Sequence, residues 1–417
     1  MVSNPRRRVF VVATEMPDLS GGAGVRNFYL IRELSRDYDV TVFSLADTPP
    51  DSRSPEVLDT VRAATDALTR QLPVRAITLP RRRLSPARAI SAVLAQRIQP
   101  FMAEDELSGL SDAVWRSSSD PPYAVHLEQV HAYNCLASVL PRLAASGVKI
   151  VLDAHNVERA AFEATLPSFS WPKRLAGLYL RPALADMETN AVKAADLVLA
   201  CSDYDRRVLA GLVPEPPPVV VIPNGVDTGA LTPCRRPDSF SVLFMGGMQY
   251  GPNAEGLRWY LERVHPSVLA SVAEVKLFVV GSPPPKWLIR LADTDASLRL
   301  CGWVRDIREY IGGASVCIAP IRTGSGTRLK VLEYAGGGRA VVTTSIGVEG
   351  LELFDDQGSV CAVYDQAEGF ANAVVSLLRS PIEAAALGWR ARAVAEARYD
   401  WSRIGARLRD CYKEMDR

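Results

Sequence analysis

The chain has 417 residues, 48 Lys and Arg against 47 Asp and Glu, and 48% apolar residues. The charge balance gives no reason to expect nucleic-acid binding, and no apolar run approaches the roughly 20 residues that span a bilayer. The length exceeds one ordinary core, so two domains are expected.

In chain order, Arg6-Arg7-Arg8 precedes an apolar run that is too short for a signal peptide and has no small-residue cleavage site after it. A first strand, Val9–Ala13, is the expectation. Similar β-branched runs follow at Val40–Leu45, Val74–Leu79, Tyr123–Glu128, Val148–Asp153, Leu197–Cys201 and Val219–Ile222. A second series occupies Val242–Met245, Val275–Val280, Ser297–Cys301, Val316–Ala319, Ala340–Thr344 and Val360–Val363. The runs are continuous rather than alternating, which predicts parallel strands covered on both faces. Their alternation with helical patterns predicts an α/β fold of two Rossmann-like, doubly wound parallel sheets. Pro214, Pro216, Pro217 and Pro218, then the turn Ile222-Pro-Asn-Gly-Val-Asp227, separate the series. The expected domains are residues 1–222 and 239–398. The segment 399–417, amphipathic through Ile404, Leu408 and Tyr412, is expected to return to the first. Seven scattered cysteines without a Cys-x-x-Cys predict buried thiols in a reducing cytoplasm, not a zinc site.

Ligands of open α/β sheets bind beyond the carboxyl ends of strands, so the loops there are the candidates for chemistry. Gly21-Gly-Ala-Gly24 follows the first strand and opens a helix. Gly22 and Gly24 allow close approach to an anion, although a plain tight turn explains them equally. His155 follows the fifth run within Asp153-Ala-His-Asn156 and suits polar contact or acid/base work, or a structural role. Gly246 and Gly247 end the first strand of the second series, and Gly302-Trp-Val-Arg-Asp306 ends another. Most informative is Pro320-Ile-Arg-Thr-Gly-Ser-Gly-Thr-Arg-Leu-Lys-Val-Leu-Glu333, a glycine-bearing loop between a strand and a helix. Ser325, Gly326 and Thr327 would present helix-start N–H groups. Arg328 and Lys330 place cations where the helix dipole disfavours them unless an anion sits there. Glu333, one turn on, could accept hydrogen bonds from sugar hydroxyls. The plainer reading is an ordinary cap at Ser325 or Thr327 with a Lys330–Glu333 surface pair.

Seven arginines between Arg70 and Arg97 lie in a stretch without acidic residues from Ala67 to Ala103. Ser85-Pro86 would start a helix there with Ile90, Val93, Leu94, Ile98 and Phe101 on one stripe. The Arg81–Arg97 region reads either as a peripheral contact with the inner membrane face or as a solvated helix face.

In order and spacing, several motifs resemble the large family 4 of retaining GT-B glycosyltransferases (glycosyltransferases group 1). They are Gly21-Gly22, Asp153–Asn156, Ser202-Asp-Tyr-Asp205, Ile222–Asp227, Gly246-Gly247, Gly302-Trp303-Val304, Gly324–Glu333 and Thr343–Gly350. The resemblance spans nearly the whole chain. It implies two domains facing across a cleft and transfer of a sugar from a nucleotide diphosphate sugar to a hydroxyl of a glycan, a lipid-linked or a natural-product acceptor. It also implies ribose binding at Glu333, donor phosphate or sugar near Gly22, base contact near Val304 and sugar contact at His155. Two departures stand out. Ser325 occupies the first position of the family's Glu-x7-Glu pair, and Met248–Asn253 lacks the cations that many members place after the Gly246 strand. Arg328 and Lys330 are expected to take over the diphosphate. Neither a metal nor a cofactor is expected. A nucleotide-sugar epimerase on the same fold, a catalytically degenerate binding partner and an NAD-dependent oxidoreductase remain alternatives. The oxidoreductase is disfavoured by the missing Gly-x-Gly-x-x-Gly.

Overall fold

Each apolar series folds into one parallel sheet. In the computed structural model the first holds seven strands in the order β3-β2-β1-β4-β5-β6-β7. They are β1 (Arg8–Ala13), β2 (Asp39–Asp47), β3 (Arg75–Arg81), β4 (Ala124–Glu128), β5 (Lys149–Ala154), β6 (Leu197–Ala200) and β7 (Val219–Val221). The second holds six, in the order β10-β9-β8-β11-β12-β13. These are β8 (Ser241–Met245), β9 (Lys276–Val280), β10 (Leu298–Gly302), β11 (Val316–Ala319), β12 (Ala340–Thr343) and β13 (Ala362–Val363). The described residues are 6–18, 22–47, 55–81, 104–166, 171–233, 237–281, 283–324, 326–351 and 360–416. Ser325, Gly21 and residues 82–103, which include most of the Arg81–Arg97 region, lie outside them.

Two compact units emerge from the contacts: Met1–Pro223 with Ile404–Arg417, and Asn224–Arg403. Both sheets follow one plan. The first strand of each series lies in the interior, and the strand order reverses beside it, between β1 and β4 and between β8 and β11. Loops leaving those four strands are therefore the ones that can cradle a ligand.

Double coverage explains the continuous apolar runs. In the second unit Val242, Phe244 and Ile318 pack into one core, while Leu243, Cys317 and Val341 pack into another with the helix Leu329–Gly336. Truncating a fully buried ring such as Phe244 to alanine would cost about 3–5 kcal/mol. In the first unit Val9, Phe10, Val11 and Val12 on β1 are all fully buried. Tertiary support matters at the edges. The run Val360–Val363 pairs only through Ala362 and Val363. Local cues fix several helix starts: Ser202 accepts a hydrogen bond from the Asp205 N–H, and Asp306 accepts one from Arg308 N–H. In the helix Trp401–Glu414, Ile404, Leu408 and Tyr412 are buried. Among the described residues six cysteines are free, and no helix is long and apolar enough to cross a membrane.

Candidate functional site

In the second unit, Gly246 ends β8 at the reversal point with φ +151°. A Cβ there would lie 2.8 Å from Lys330 Nζ and 2.6 Å from Asn253 Nδ2, so only glycine fits. Lys330 stands in the first turn of the helix Leu329–Gly336. Its Nζ donates to Asn253 Oδ1 (2.7 Å) and lies 4.6 Å from the centre of the Phe244 ring. Asn253 in turn donates to the Gly247 carbonyl (3.0 Å). Lys330 is 9% exposed and Arg328 7%. Burial, with Arg328 as the next cause, pushes the Lys330 ammonium down to about 7, while Glu333 opposes the shift. Burial also lowers Arg328. Glu333, half-buried, is pushed up to about 7 by desolvation against the pull of Lys330.

The helix begins later than the sequence implies. Arg328 is the N-cap residue, with extended backbone and no side-chain cap, and the first turn starts at Leu329. Neither Thr327 nor Arg328 belongs to that turn, which corrects the expectation that residues around 325–327 present helix-start N–H groups. The Arg328 guanidinium donates instead to the carbonyl of Gly326, itself at φ +79°. Thr327 accepts a hydrogen bond from Asn224 Nδ2. Val304, partly buried, lies in the loop between β10 and the helix Ile307–Gly313, next to exposed Trp303, and packs against the core that contains Leu243 and Cys317.

In the first unit, the carboxyl ends of β4 and β5 carry a buried charge network. Arg26, on the helix Gly22–Leu34, donates through Nε to Asp153 Oδ2 (2.8 Å) and through Nη2 to Oδ1 (2.6 Å). His155 Nε2 lies 3.0 Å from Glu128 Oε2 and 3.4 Å from Asp153 Oδ2. Its Nδ1 faces the Gln129 amide at 3.0 Å. Gln129 adopts φ +68°, an unfavourable value for a residue with a Cβ. With its amide nitrogen turned toward the acceptors, Asn27 donates to Glu128 Oε2 (2.8 Å) and Ala23 O (3.0 Å). His126 Nδ1 meets the Tyr412 hydroxyl at 2.6 Å, and its Nε2 lies 3.3 Å from Glu128 Oε1.

Burial alone would lower His155. The hydrogen bonds and charge of Asp153 and Glu128 outweigh it and raise the imidazole to about 9. Burial alone would raise both carboxyls. Arg26, then His155, instead drives Asp153 far below the usual range, and His126, then His155, lowers Glu128. At neutral pH His155 therefore favours the imidazolium, with Nε2 directed at the Glu128 and Asp153 carboxylates. His126, Glu128 and Asp153 hold ligand-type atoms within 4.8 Å of one another. That donor set does not suit a metal ion, because Arg26 and His155 already supply its cations. Gly22 is exposed at the helix start, and a Cβ on Gly24 would sit 2.7 Å from Asp18 Oδ1.

The family model for Glycosyltransferase Family 4 matches residues 20–230, half of the chain, and that for Glycosyl transferases group 1 matches residues 239–380. The chain belongs to glycosyltransferase family 4. A Mycolicibacterium smegmatis phosphatidyl-myo-inositol mannosyltransferase is 28% identical over 47% of this family 4 chain and 52% of its own. An uncharacterised 44.6 kDa protein in the cps region of Klebsiella pneumoniae is 33% identical over 26% of the chain and 30% of its own. The chain thus spans at most about half the length of these curated relatives. Among solved structures, Anabaena HepE in complex with UDP and glucose superposes with a TM-score of 0.67 at 14% identity, covering 98% of this chain and 100% of that one. Thermosynechococcus elongatus sucrose-phosphate synthase gives 0.69 at 16%, covering 98% and 99%. At these identities they establish the shared GT-B fold.

Of the residues singled out in this family 4 chain, Lys330 and Gly246 come together, with Arg328 and Glu333 near Lys330 in sequence and charge. His155, Gly22 and Gly24 belong to the first unit. Sequence reading missed Arg26, Glu128, Asn27, His126 and Tyr412. The available signal was polar residues on faces expected to be apolar: His126 and Glu128 inside the run Ala124–Glu128, and Arg26 beside Val25.

Proposed function

We propose that this chain moves a sugar from a nucleoside diphosphate sugar to an acceptor hydroxyl, with retention of anomeric configuration and without a metal. The observation that carries the reading is the pair of buried cations, Arg328 and Lys330, with Lys330 set against the Gly246 backbone at the reversal point of the second sheet. Burial holds Lys330 near neutrality. A diphosphate would restore its proton and supply the counter-charge for both groups.

In the reaction, the bond from the anomeric carbon to the phosphate oxygen breaks with its electron pair on that oxygen. The acceptor oxygen bonds to the carbon, and its proton passes to the departing phosphate. Charge therefore grows on the diphosphate toward the transition state, where fixed cations stabilise it most. Losing either cation should cost about 3 kcal/mol of barrier. Glu333 would accept hydrogen bonds from the ribose, backbone near Val304 would meet the base, and Gly22 and Gly24 would border the donor. Ser325, Gly326, Thr327 and Gly247 would line the phosphates. His155, protonated and held by two carboxylates, suits a fixed polar contact to the sugar rather than proton shuttling. The same saturation argues against the epimerase reading, which needs free acid and base groups.

The HepE structures with UDP and with UDP-glucose support a uridine nucleotide as the first donor to test. Thermal shift with UDP, GDP and dTDP should raise the melting temperature for the matching base. Incubation with the matching donor and an acceptor should then release the nucleoside diphosphate. Failure of every nucleotide to bind, or unchanged turnover in both Arg328→Ala and Glu333→Ala, would overturn the proposal.

A further inference from the structure

The helix Trp171–Ala194 buries Gly177, Leu180, Leu184 and Met187 along one side. Its opposite side is apolar as well over the first three turns. Trp171 is 75% exposed, Leu175 48%, Leu178 48% and Tyr179 47%. Spacings of four, three and one residues put these four on one face, and exposed Pro182 continues it. A helix apolar on two sides requires two apolar partners, and the first unit supplies one.

The charge around this face indicates what the second partner is. Arg174 and Arg181 are exposed along one flank of the stripe, with Arg181 also paired to Glu163 at 2.7 Å. From Ala164 to Ala185 the sequence has three basic residues, Lys173, Arg174 and Arg181, and no acidic one. Trp and Tyr rings with apolar bodies and polar tips, aliphatic residues between them and arginines at the edge make up the composition of interfacial helices. A second copy of the chain packed antiparallel through this face fits poorly, because that two-fold contact would bring its basic flanks together.

We propose that this face is a docking surface for an anionic lipid bilayer. The helix lies in the plane of the interface, with Trp171, Leu175, Leu178 and Tyr179 among the acyl–headgroup boundary groups and Arg174 on the lipid phosphates. The residues of this surface lie outside the Arg81–Arg97 stretch in sequence, and the proposal does not depend on the sugar-transfer reading.

The test is co-sedimentation of the full chain with phosphatidylcholine vesicles, alone or with about 30% phosphatidylglycerol, at low and at about 0.5 M salt. The expected result is binding to the anionic vesicles that weakens with salt. Leu175→Glu with Leu178→Glu should reduce it at least about tenfold, and Arg174→Glu by less. Urea unfolding of the double variant should match the parent, since both positions are exposed. If it does not, Leu175→Ser with Leu178→Ser replaces it. Trp171→Phe should remove much of the blue shift in tryptophan emission on vesicle addition. The proposal is overturned by absence of vesicle binding or by undiminished binding of the double variant. Equal, salt-insensitive binding to neutral vesicles would also overturn it, as would a dimer in solution that the double variant dissociates.

Discussion

Both units place buried charge beside the carboxyl ends of interior strands and treat it in opposite ways. In the first, Arg26, Asp153, Glu128 and His155 drive one another further into their charged forms. In the second, burial drives Lys330 and Glu333 toward their neutral forms, both to about 7. A network whose members stabilise each other's charge is complete as built. A pair of cations held against its own solvation is prepared for an anion from outside. On the proposed reading, similar topology gives a self-satisfied cluster in the first unit and an anion-receiving cluster in the second.

Removing one member from each cluster should sharpen that contrast. Asp153→Ala leaves Arg26 buried without its partner and should lower unfolding stability by about 3–5 kcal/mol in urea titrations. Lys330→Met should act in the other direction. Turnover should fall by about 10²–10³, yet melting temperature at pH 7 should rise, because a desolvated cation has gone. A melting temperature that fell with Lys330→Met would erase the distinction.

The pH dependences should also have opposite signs. The folded pKa of His155 is raised above its unfolded value, so its stabilisation is complete below about 6.5 and disappears as pH rises through about 9. His155→Asn should flatten the alkaline loss of stability, an effect of about 1–3 kcal/mol. Lys330, lowered to about 7, destabilises the fold below that pH, and the penalty fades as pH rises toward its unfolded value. Nucleoside diphosphate binding should take up a proton at pH 8, visible as a dependence of calorimetric enthalpy on buffer ionisation. Affinity should weaken as pH climbs above 7. Smallest is Gly24→Ala, which crowds Asp18 and should cost about 1–3 kcal/mol.

The strands were legible because burial on both faces leaves an unbroken apolar run, and all thirteen positions of the two series became strands. The glycine at 246 was legible for a related reason: it stands where a strand meets a helix, and nothing larger fits against Lys330. The first unit's network was not legible. Arg26 and Asp153 are 127 residues apart, and His126 and Tyr412 are 286 apart, so only the folded topology brings them together. A lone polar residue inside an apolar run carries no mark of its partner. His155 showed in sequence as a chemical group at a strand end. Its charge state depends on two carboxylates that local pattern does not connect to it. The start of the Leu329–Gly336 helix was misread because Ser325 and Thr327 are good capping types, whereas the chain turns into the helix only at Arg328.

The hydrogen bond between Tyr412 and His126 carries a consequence for biosynthesis. During translation the phenol that completes the first unit's central polar cluster leaves the ribosome after the entire second unit has emerged. Until then the nascent first unit holds His126 without that partner and lacks the closing helix strip from Ile404 onward. Its final consolidation thus follows synthesis of the whole second unit, and chains stalled or terminated before residue 404 should present an open, chaperone-accessible flank there.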